Sequence, residues 1–294
     1  MKVDKVFINT YKYDFHFAKI CIASIRYWYP DIPVYLIKDE NEGPFDTLHT
    51  EKIWNVKVLD ITRKKFGWGY GKLEVLFSTP KESFLVIDAD AVLTGPIIDY
   101  VRDIDAEFII DKEVQPEKRF NEIYFNLDRI NELDKDFVYP GYSFNSGQWF
   151  GTSSIIKRED FSKTLDWSEP PASRNKDIVV NNDQGHLNYV IHSFDLRKII
   201  SVSRIRLMIW PVEGTADFIE LRKIKAKAST YPYVIHWAGM SAMKFSDLPR
   251  QDILNFYKDI YYTRAGNTQR YLDAAKNIRL KIERKVKRII YRPL

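Results

Sequence analysis

Two carboxylates one residue apart, Asp88 and Asp90, follow the run Ser83-Phe84-Leu85-Val86-Ile87. A short apolar run of aromatic and β-branched residues suits a strand buried on both faces. The carboxylates then stand at its carboxyl end, where open α/β sheets bind ligands. Alternate residues of an extended segment point the same way, so both side chains can converge on one cation. Hard divalent ions take such oxygen ligands together with a phosphate. The plainer reading of a bare Asp-X-Asp is a strand ending in a polar turn. Its place after a buried strand and before Leu93-Thr94-Gly95-Pro96 favours metal–phosphate chemistry.

Other groups capable of chemistry sit at comparable places. Lys72 closes Phe66-Gly67-Trp68-Gly69-Tyr70-Gly71-Lys72, where alternate glycines let the backbone approach a ligand closely. This is not a P-loop, because the helix-opening Gly-Lys-Ser/Thr is missing. Lys72 can reach phosphate or sugar from just before the carboxylate strand; a solvated surface lysine is the alternative. Tyr142 to Gly151 has β character with Asn145-Ser146-Gly147 in its middle, and a glycine there marks a bulge or a close ligand approach. Val179 to Val190 opens a helix capped near Asn181 to Asp183. Asp183 and Gln184 project from its first turn, at the positive end of the helix dipole. A plain N-cap accounts for Asp183 alone. Tyr233-Val234-Ile235-His236-Trp237-Ala238-Gly239 is an apolar strand with a possible metal ligand, His236, at its end. Such a lone histidine is usually structural, unless the fold brings it to Asp90. Tyr11, after the first strand, can stack on a nucleobase or be an ordinary loop tyrosine.

The elements that must position these groups alternate strand and helix. Val3 to Asn9 reads as a strand, Phe17 to Tyr29 as a helix with apolar residues at helical spacing, and Pro33 to Ile37 as a second strand. This β-α-β opening favours a parallel sheet with a right-handed crossover. Asn55 to Ile61 and Glu107 to Asp111 read as further strands, and Leu73 to Phe77 and Phe161 to Trp167 as short helices. Residues 112 to 138 are charged and leave the sheet, with helix as a guess. The expected fold is α/β, a mixed but mainly parallel sheet flanked by helices. The expected division is a catalytic domain over 1–250 and a helical region with a basic amphipathic tail over 251–294.

The chain has 294 residues, 45% hydrophobic and 29% charged, which is ordinary for a folded protein with a sizeable core. Its single cysteine, Cys21, lies in an apolar run, reads as a buried thiol, and fits a reducing compartment. The chain opens directly on a strand pattern, so no signal peptide is expected. No apolar run approaches the roughly 20 residues that span a bilayer. These features lead to an expected cytoplasmic location.

Together the pieces resemble glycosyltransferase family 8, the group of glycogenin and the bacterial lipopolysaccharide galactosyl- and glucosyltransferases, whose fold is GT-A. The resemblance covers roughly residues 3 to 245. It rests on Thr10-Tyr11 after the first strand, Lys72-Leu73, the Asp88-Ala89-Asp90 (DxD) element, Phe144-Asn145-Ser146-Gly147, Asp183-Gln184 with Asn188, and His236-Trp237-Ala238-Gly239. It implies that Asp88, Asp90 and His236 hold Mn²⁺ or Mg²⁺, with Asp88 also near the ribose. It implies a nucleotide-sugar site including Thr10, Tyr11, Lys72, Asp88, Asn145, Gly147, Asp183, Gly239 and Lys244. Asn145 and Asp183 would hold sugar hydroxyls, and Gln184 would lie beneath the anomeric carbon. Asp183 and Gln184 are thus the catalytic candidates. Two departures stand out. The family's lysine three residues after the last glycine is missing, Lys244 comes later, and Pro-Trp is absent. Gly185 also stands where an acidic residue is common.

The activity so implied is transfer from a nucleotide-sugar, with UDP as its nucleotide, to a glycan or lipid-linked acceptor. Negative charge grows on the departing diphosphate, where a metal acts as Lewis acid. A carbonyl or carboxylate steadies the oxocarbenium-like sugar. The resemblance implies retention of anomeric configuration. An inverting GT-A enzyme would need a base such as Asp111, Asp183 or Glu213. A sugar-1-phosphate nucleotidyltransferase lacks its Gly-rich N-terminal motif here. A nucleic-acid binder lacks a basic patch or known motif before residue 268.

The basic charge is local. Residues 268–294 hold nine Lys or Arg against two Asp or Glu, whereas the whole chain carries only +5. Tyr271, Ala275, Ile278, Ile282, Val286 and Ile289 fall on one helical face. Such a helix suits an anionic membrane surface, or it docks its apolar stripe on the catalytic domain and leaves a solvated basic face.

Overall fold

The computed structural model describes residues 1–290 apart from Trp68, Val114, Glu213 and Ala242, with 288–290 as backbone. The chain opens with β1 (Lys5–Tyr11), α1 (Phe15–Trp28), β2 (Val34–Asp39), α2 (Leu48–Trp54) and β3 (Val56–Val58). The apolar run forms β4 (Ser83–Asp88), followed two residues later by β5 (Ala91–Leu93). Next come α3 (Ile97–Tyr100), β6 (Phe108–Asp111), α4 (Glu117–Ile123) and β7 (Gln148–Thr152). A short hairpin, β8 (Leu165–Asp166) and β9 (Ala172–Ser173), precedes α5 (Asp183–Leu196). The chain continues through β10 (Val202–Ile205), β11 (Met208–Ile209), α6 (Leu221–Lys225), β12 (Val234–His236), α7 (Gln251–Ala265) and α8 (Asn267–Ile290).

Seven strands form the main sheet in the order β10-β6-β7-β4-β1-β2-β3. Neighbours are parallel except at β7, which runs antiparallel to both β4 and β6. The expected mixed, mainly parallel sheet is therefore present. Alternation along β4 explains why its apolar run is unbroken. Leu85 and Ile87 enter one core with α1 and α7, while Phe84 and Val86 enter the other with Trp149 and α5. Each face of the strand is buried, at about 1.5–3 kcal/mol per large apolar side chain. Cys21 is fully buried in the first core.

A second sheet, β11-β12-β5, does the positioning that matters most. β5 follows Asp90 directly and pairs antiparallel with β12, with Ala91 opposite His236. The backbone N–H of Trp237 also donates to the Asp90 carbonyl at 2.9 Å.

Some local expectations change. Of Tyr142 to Gly151, only the part from Gln148 is strand, because Asn188 holds Phe144 through both backbone groups in a loop over α5. Phe161 to Trp167 is not a helix. A 3₁₀ turn ends at Phe161, and Leu165 then pairs with Ser173. The 112–138 excursion contains α4, and its following residues pass over the start of α5. There the carbonyl of Tyr124 lies 2.3 Å from where a Cβ on Gly185 would stand. No acidic side chain fits at 185, which accounts for the departure noted in the sequence.

α7 and α8 differ in kind. α7 buries Ile253, Leu254, Tyr257 and Tyr261 beside α1, with Tyr261 stacked on Trp54. α8 docks through polar residues. Asp273 pairs with buried Lys19, and Glu283 accepts from Lys12 and Tyr13. Its apolar stripe faces away: Tyr271 is 76% exposed, Ile278 63% and Ile282 60%. Docking of that stripe on the rest of the fold is therefore not how the helix binds.

Candidate active site

β1, β2 and β4 are parallel, so Tyr11, Asp39 and Asp88 emerge at one edge of the sheet. They border a cavity of about 660 Å³ that also takes Asp90, Asp183, His236, Gly239 and Lys72 into its lining. Asp90 arrives by the turn between β4 and β5, and His236 by the register of β12 on β5. His236 Nε2 lies 3.1 Å from Asp90 Oδ1 and 3.7 Å from Asp88 Oδ2. One ligand atom from each residue lies within 4.8 Å of the others. Two carboxylates and one imidazole fit a divalent ion such as Mn²⁺, which accepts both oxygen and nitrogen ligands.

The imidazole is fixed from two sides. Trp210, just after β11, stacks on it with centroids 5.8 Å apart. Gly147 leaves it room, since a Cβ there would stand 2.1 Å from His236 Cε1. Burial lowers the histidine's proton affinity, but the attraction of Asp90 outweighs this and raises its pKa. Burial pushes the Asp88 carboxyl up. At Asp90 the same penalty is overcome by the charge and hydrogen bond of His236, and the pKa falls.

Lys72 is the buried counter-charge. Its ammonium lies 3.0 Å from Asp88 and 2.9 Å from Asp183, and it donates to the Ser146 carbonyl at 3.0 Å. Its contact with Asp183 is an ion pair without hydrogen-bond alignment. Desolvation would lower its pKa, yet Asp183 and then Asp88 raise it, so the side chain stays charged. Gly69, at φ +81°, turns the chain here, and a Cβ on it would stand 2.4 Å from Asp183 Oδ1. The glycine-spaced loop thus opens the space that Asp183 occupies.

Asn182 caps α5 by accepting from Gly185 N at 2.9 Å, which leaves Asp183 free to face Lys72. Gln184 Oε1 accepts from Ser146 N at 3.1 Å, and Asn145 Oδ1 from Gly147 N at 2.7 Å. These bonds brace the 144–147 loop against α5. Gln184, Asn145 and Gly147 border the cavity's lining rather than belong to it. Thr10 is fully buried and donates to Asp14 Oδ1 at 2.7 Å. Lys244 is exposed and outside the cavity. Tyr11 lines it, and burial, then Asp14, push its hydroxyl up to about 12. Asp111, at the end of β6, accepts the N–H groups of Leu207 and Met208 at 2.7 and 2.8 Å, so it holds β11 in place and lies outside the cavity. Glu213 lies outside the described residues.

Other lining residues escaped the sequence. Asp39 accepts three backbone N–H groups, from Asn41, Phe66 and Gly67, and shapes the rim. Its position at the end of β2 is the signal that could have found it. Asn9 also faces the cavity, with its Oδ1 buried and without a partner among the described residues. Arg284 and Lys287 reach it from α8. Their only signal was that they fall off the apolar stripe.

No protein-family model matches the chain, and no curated protein matches it in sequence. Solved structures do match. The galactosyltransferase LgtC, in complex with donor and acceptor sugar analogs, aligns over 89% of this chain and 96% of its own, with a TM-score of 0.55 and 13% identity. The bifunctional glycosyltransferase WbbM, as an apo structure, aligns over 94% of this chain and 52% of its own, with a TM-score of 0.55 and 14% identity. The glycosyltransferase GlyE of Streptococcus pneumoniae aligns over 88% of this chain and 63% of its own, with a TM-score of 0.51 and 12% identity. The chain has the GT-A fold. In this GT-A fold the Asp88-Ala89-Asp90 turn links the two sheets, and both carboxylates face the cavity.

Proposed function

We propose that this protein is a metal-dependent glycosyltransferase that moves a sugar from a UDP-sugar to a glycan or lipid-linked acceptor, with retention of configuration. The observation that carries the reading is the convergence of Asp88, Asp90 and His236 at the strand edge of a GT-A fold, inside a cavity of about 660 Å³. These three would hold Mn²⁺ or Mg²⁺, which supplies Lewis-acid neutralisation of a diphosphate. Asn9, with its unpaired buried oxygen, and Tyr11 offer a hydrogen bond and a ring face to the nucleoside. Asp183, held by Lys72, offers a fixed carboxylate to sugar hydroxyls. Gln184 would lie near the anomeric carbon, as a positioned amide. Of the bases named for an inverting enzyme, Asp111 is bound to backbone N–H groups, Asp183 is paired with Lys72, and Glu213 lies outside the described residues, so retention rests on the family resemblance.

The test is a screen of nucleotide-sugars for Mn²⁺-dependent hydrolysis without acceptor, followed by anomeric NMR of a transfer product. Release of UDP from one donor supports the reading. Release of pyrophosphate from a sugar-1-phosphate and a nucleoside triphosphate would replace it with nucleotidyl transfer.

No helix of the described residues is long and apolar enough to cross a membrane. α8 nevertheless presents Tyr271, Leu272, Ile278, Ile282 and Val286 to solvent, flanked by exposed Arg279, Lys281 and Lys285. That pattern suits an anionic lipid surface, with about 1 kcal/mol for each basic residue near it. Peripheral attachment would bring a lipid-linked acceptor to the cavity. Full-length protein should co-sediment with phosphatidylserine vesicles at low salt, and an Ile278→Asp, Ile282→Asp variant should not. Equal sedimentation of both would reject the attachment.

A further inference from the structure

The cavity is rich in acid: Asp14, Asp39, Glu42, Asp88, Asp90 and Asp183 all line it. Its cations are unequally placed among them. Lys72 is held by Asp88 and Asp183. Lys287 lies 3.4 Å from Glu42 and 3.8 Å from Glu283. Arg284 has no carboxylate within ion-pair distance among the described residues. Its guanidinium lies 5.7 Å from the Tyr13 ring centroid and 3.4 Å from Ser241 Oγ. Ser241 follows His236 by five residues, on the segment that leaves β12. Tyr11, Asp90 and Arg284 line the same cavity. An arginine thus shares the cavity with the acidic centre, and among the described residues only its bond to Ser241 engages its five donors.

We infer that Arg284 of α8 binds the diphosphate of the donor, a role that Lys244, outside the cavity, does not fill. The inference rests on the nucleotide-sugar reading of the site. Lys244 is exposed and contributes nothing to the cavity lining. A diphosphate bridging the Asp88-Asp90-His236 centre would present its remaining oxygens away from that centre. A planar guanidinium matches such oxygens two at a time, whereas an ammonium acts as a point charge. The serine hydroxyl and the Tyr13 ring hold the fork in place without neutralising it. Lys287 serves instead to fasten the helix, through Glu42.

The experiment titrates full-length protein calorimetrically with UDP and with uridine, both in Mn²⁺. Arg284→Gln should weaken UDP about tenfold or more, the scale of a charged hydrogen bond, and leave uridine within about twofold. Arg284→Lys should fall between the two, because it keeps the charge and loses the fork. Lys244→Gln should bind UDP like the parent. Equal loss of UDP and uridine in Arg284→Gln would overturn the inference by showing a nucleoside or structural role. Unchanged UDP binding in that variant, or a loss in Lys244→Gln instead, would also overturn it. If the parent protein binds neither ligand, the nucleotide-sugar reading itself falls, and the inference with it.

Discussion

On the strand side of the cavity, Lys72 is buried and touches two carboxylates and the Ser146 carbonyl. On the α8 side, Arg284 touches a serine hydroxyl and a ring. The first wall is made of strand ends and a capped helix whose positions the sheet register determines. The second is one helix laid on by polar contacts, with its apolar face turned outward. Charges that are paired inside a wall shape the site. A charge that the wall leaves unpaired is available to a ligand. If so, breaking the first wall should cost structure and metal binding, and disturbing the second should cost much less of either.

The largest effect should come from the metal set. Asp90→Asn should lower transfer by about a thousandfold or more, the loss of several kcal/mol of charge stabilisation. It should also abolish Mn²⁺-dependent UDP binding, with the circular dichroism spectrum unchanged. Normal turnover in that variant, or in protein stripped by a chelator, would remove the metal from the mechanism.

Lys72→Met should follow closely, for a different reason. Removing the cation leaves Asp88 and Asp183 facing each other in a buried site, and breaking a buried pair costs about 3–5 kcal/mol. Urea unfolding reads this directly. A loss under about 1 kcal/mol would mean that the strand wall tolerates an unpaired carboxylate and that the contrast with α8 is wrong.

Gly147→Ala should be milder. The added methyl must displace the His236 ring, so Mn²⁺ affinity should fall about 10–100-fold, as for lost ligand support. Unfolding should shift far less than for Lys72→Met. Unchanged affinity would show that His236 has another resting place.

The smallest effect concerns α8. Its amides should exchange faster than those of α5, because local opening of α8 exposes little core. Acid should widen the gap. His16, in the first turn of α1, lines a small cavity with Asn277 and Lys281 of α8. Burial and then Lys281 hold its pKa down to about 4 from 6.5. The closed form therefore refuses a proton that the open form accepts. The contribution of His16 to stability is complete above pH 6.5 and drains away as pH falls toward 4. Hydrogen exchange at pH 7 and pH 5 should show α8 loosening in the parent and less so in His16→Gln.

How much of this was legible depended on how local the cause was. The apolar run before Asp88 identified a strand buried on both faces, because that burial imprints itself on every residue. Asn182 and Asp183 announced a helix start for the same kind of reason. His236 could be tied to Asp90 only through resemblance, since their meeting depends on one register between strands far apart in sequence. β5, β11 and β12 are two or three residues long, too short for any periodicity to register. The orientation of α8 stayed open in the sequence because its stripe suits either docking or a lipid surface. What decided it was a set of polar contacts from Asp273, Glu283 and Lys287 to residues hundreds of positions away.

The register of β12 against β5 also gives the site a schedule. Lys72 precedes Asp88 by 16 residues, whereas His236 follows Asp90 by 146. At about 5–20 residues per second, a growing chain makes the two carboxylates roughly 7–30 seconds before it makes the histidine. In that interval a lysine is already at hand for Asp88. Arg284 emerges later still. A ribosome-bound chain arrested before residue 236 is therefore expected to retain no manganese on gel filtration, and a released chain to retain it. The cell would then meet this protein as a metal binder only once residue 236 has been translated.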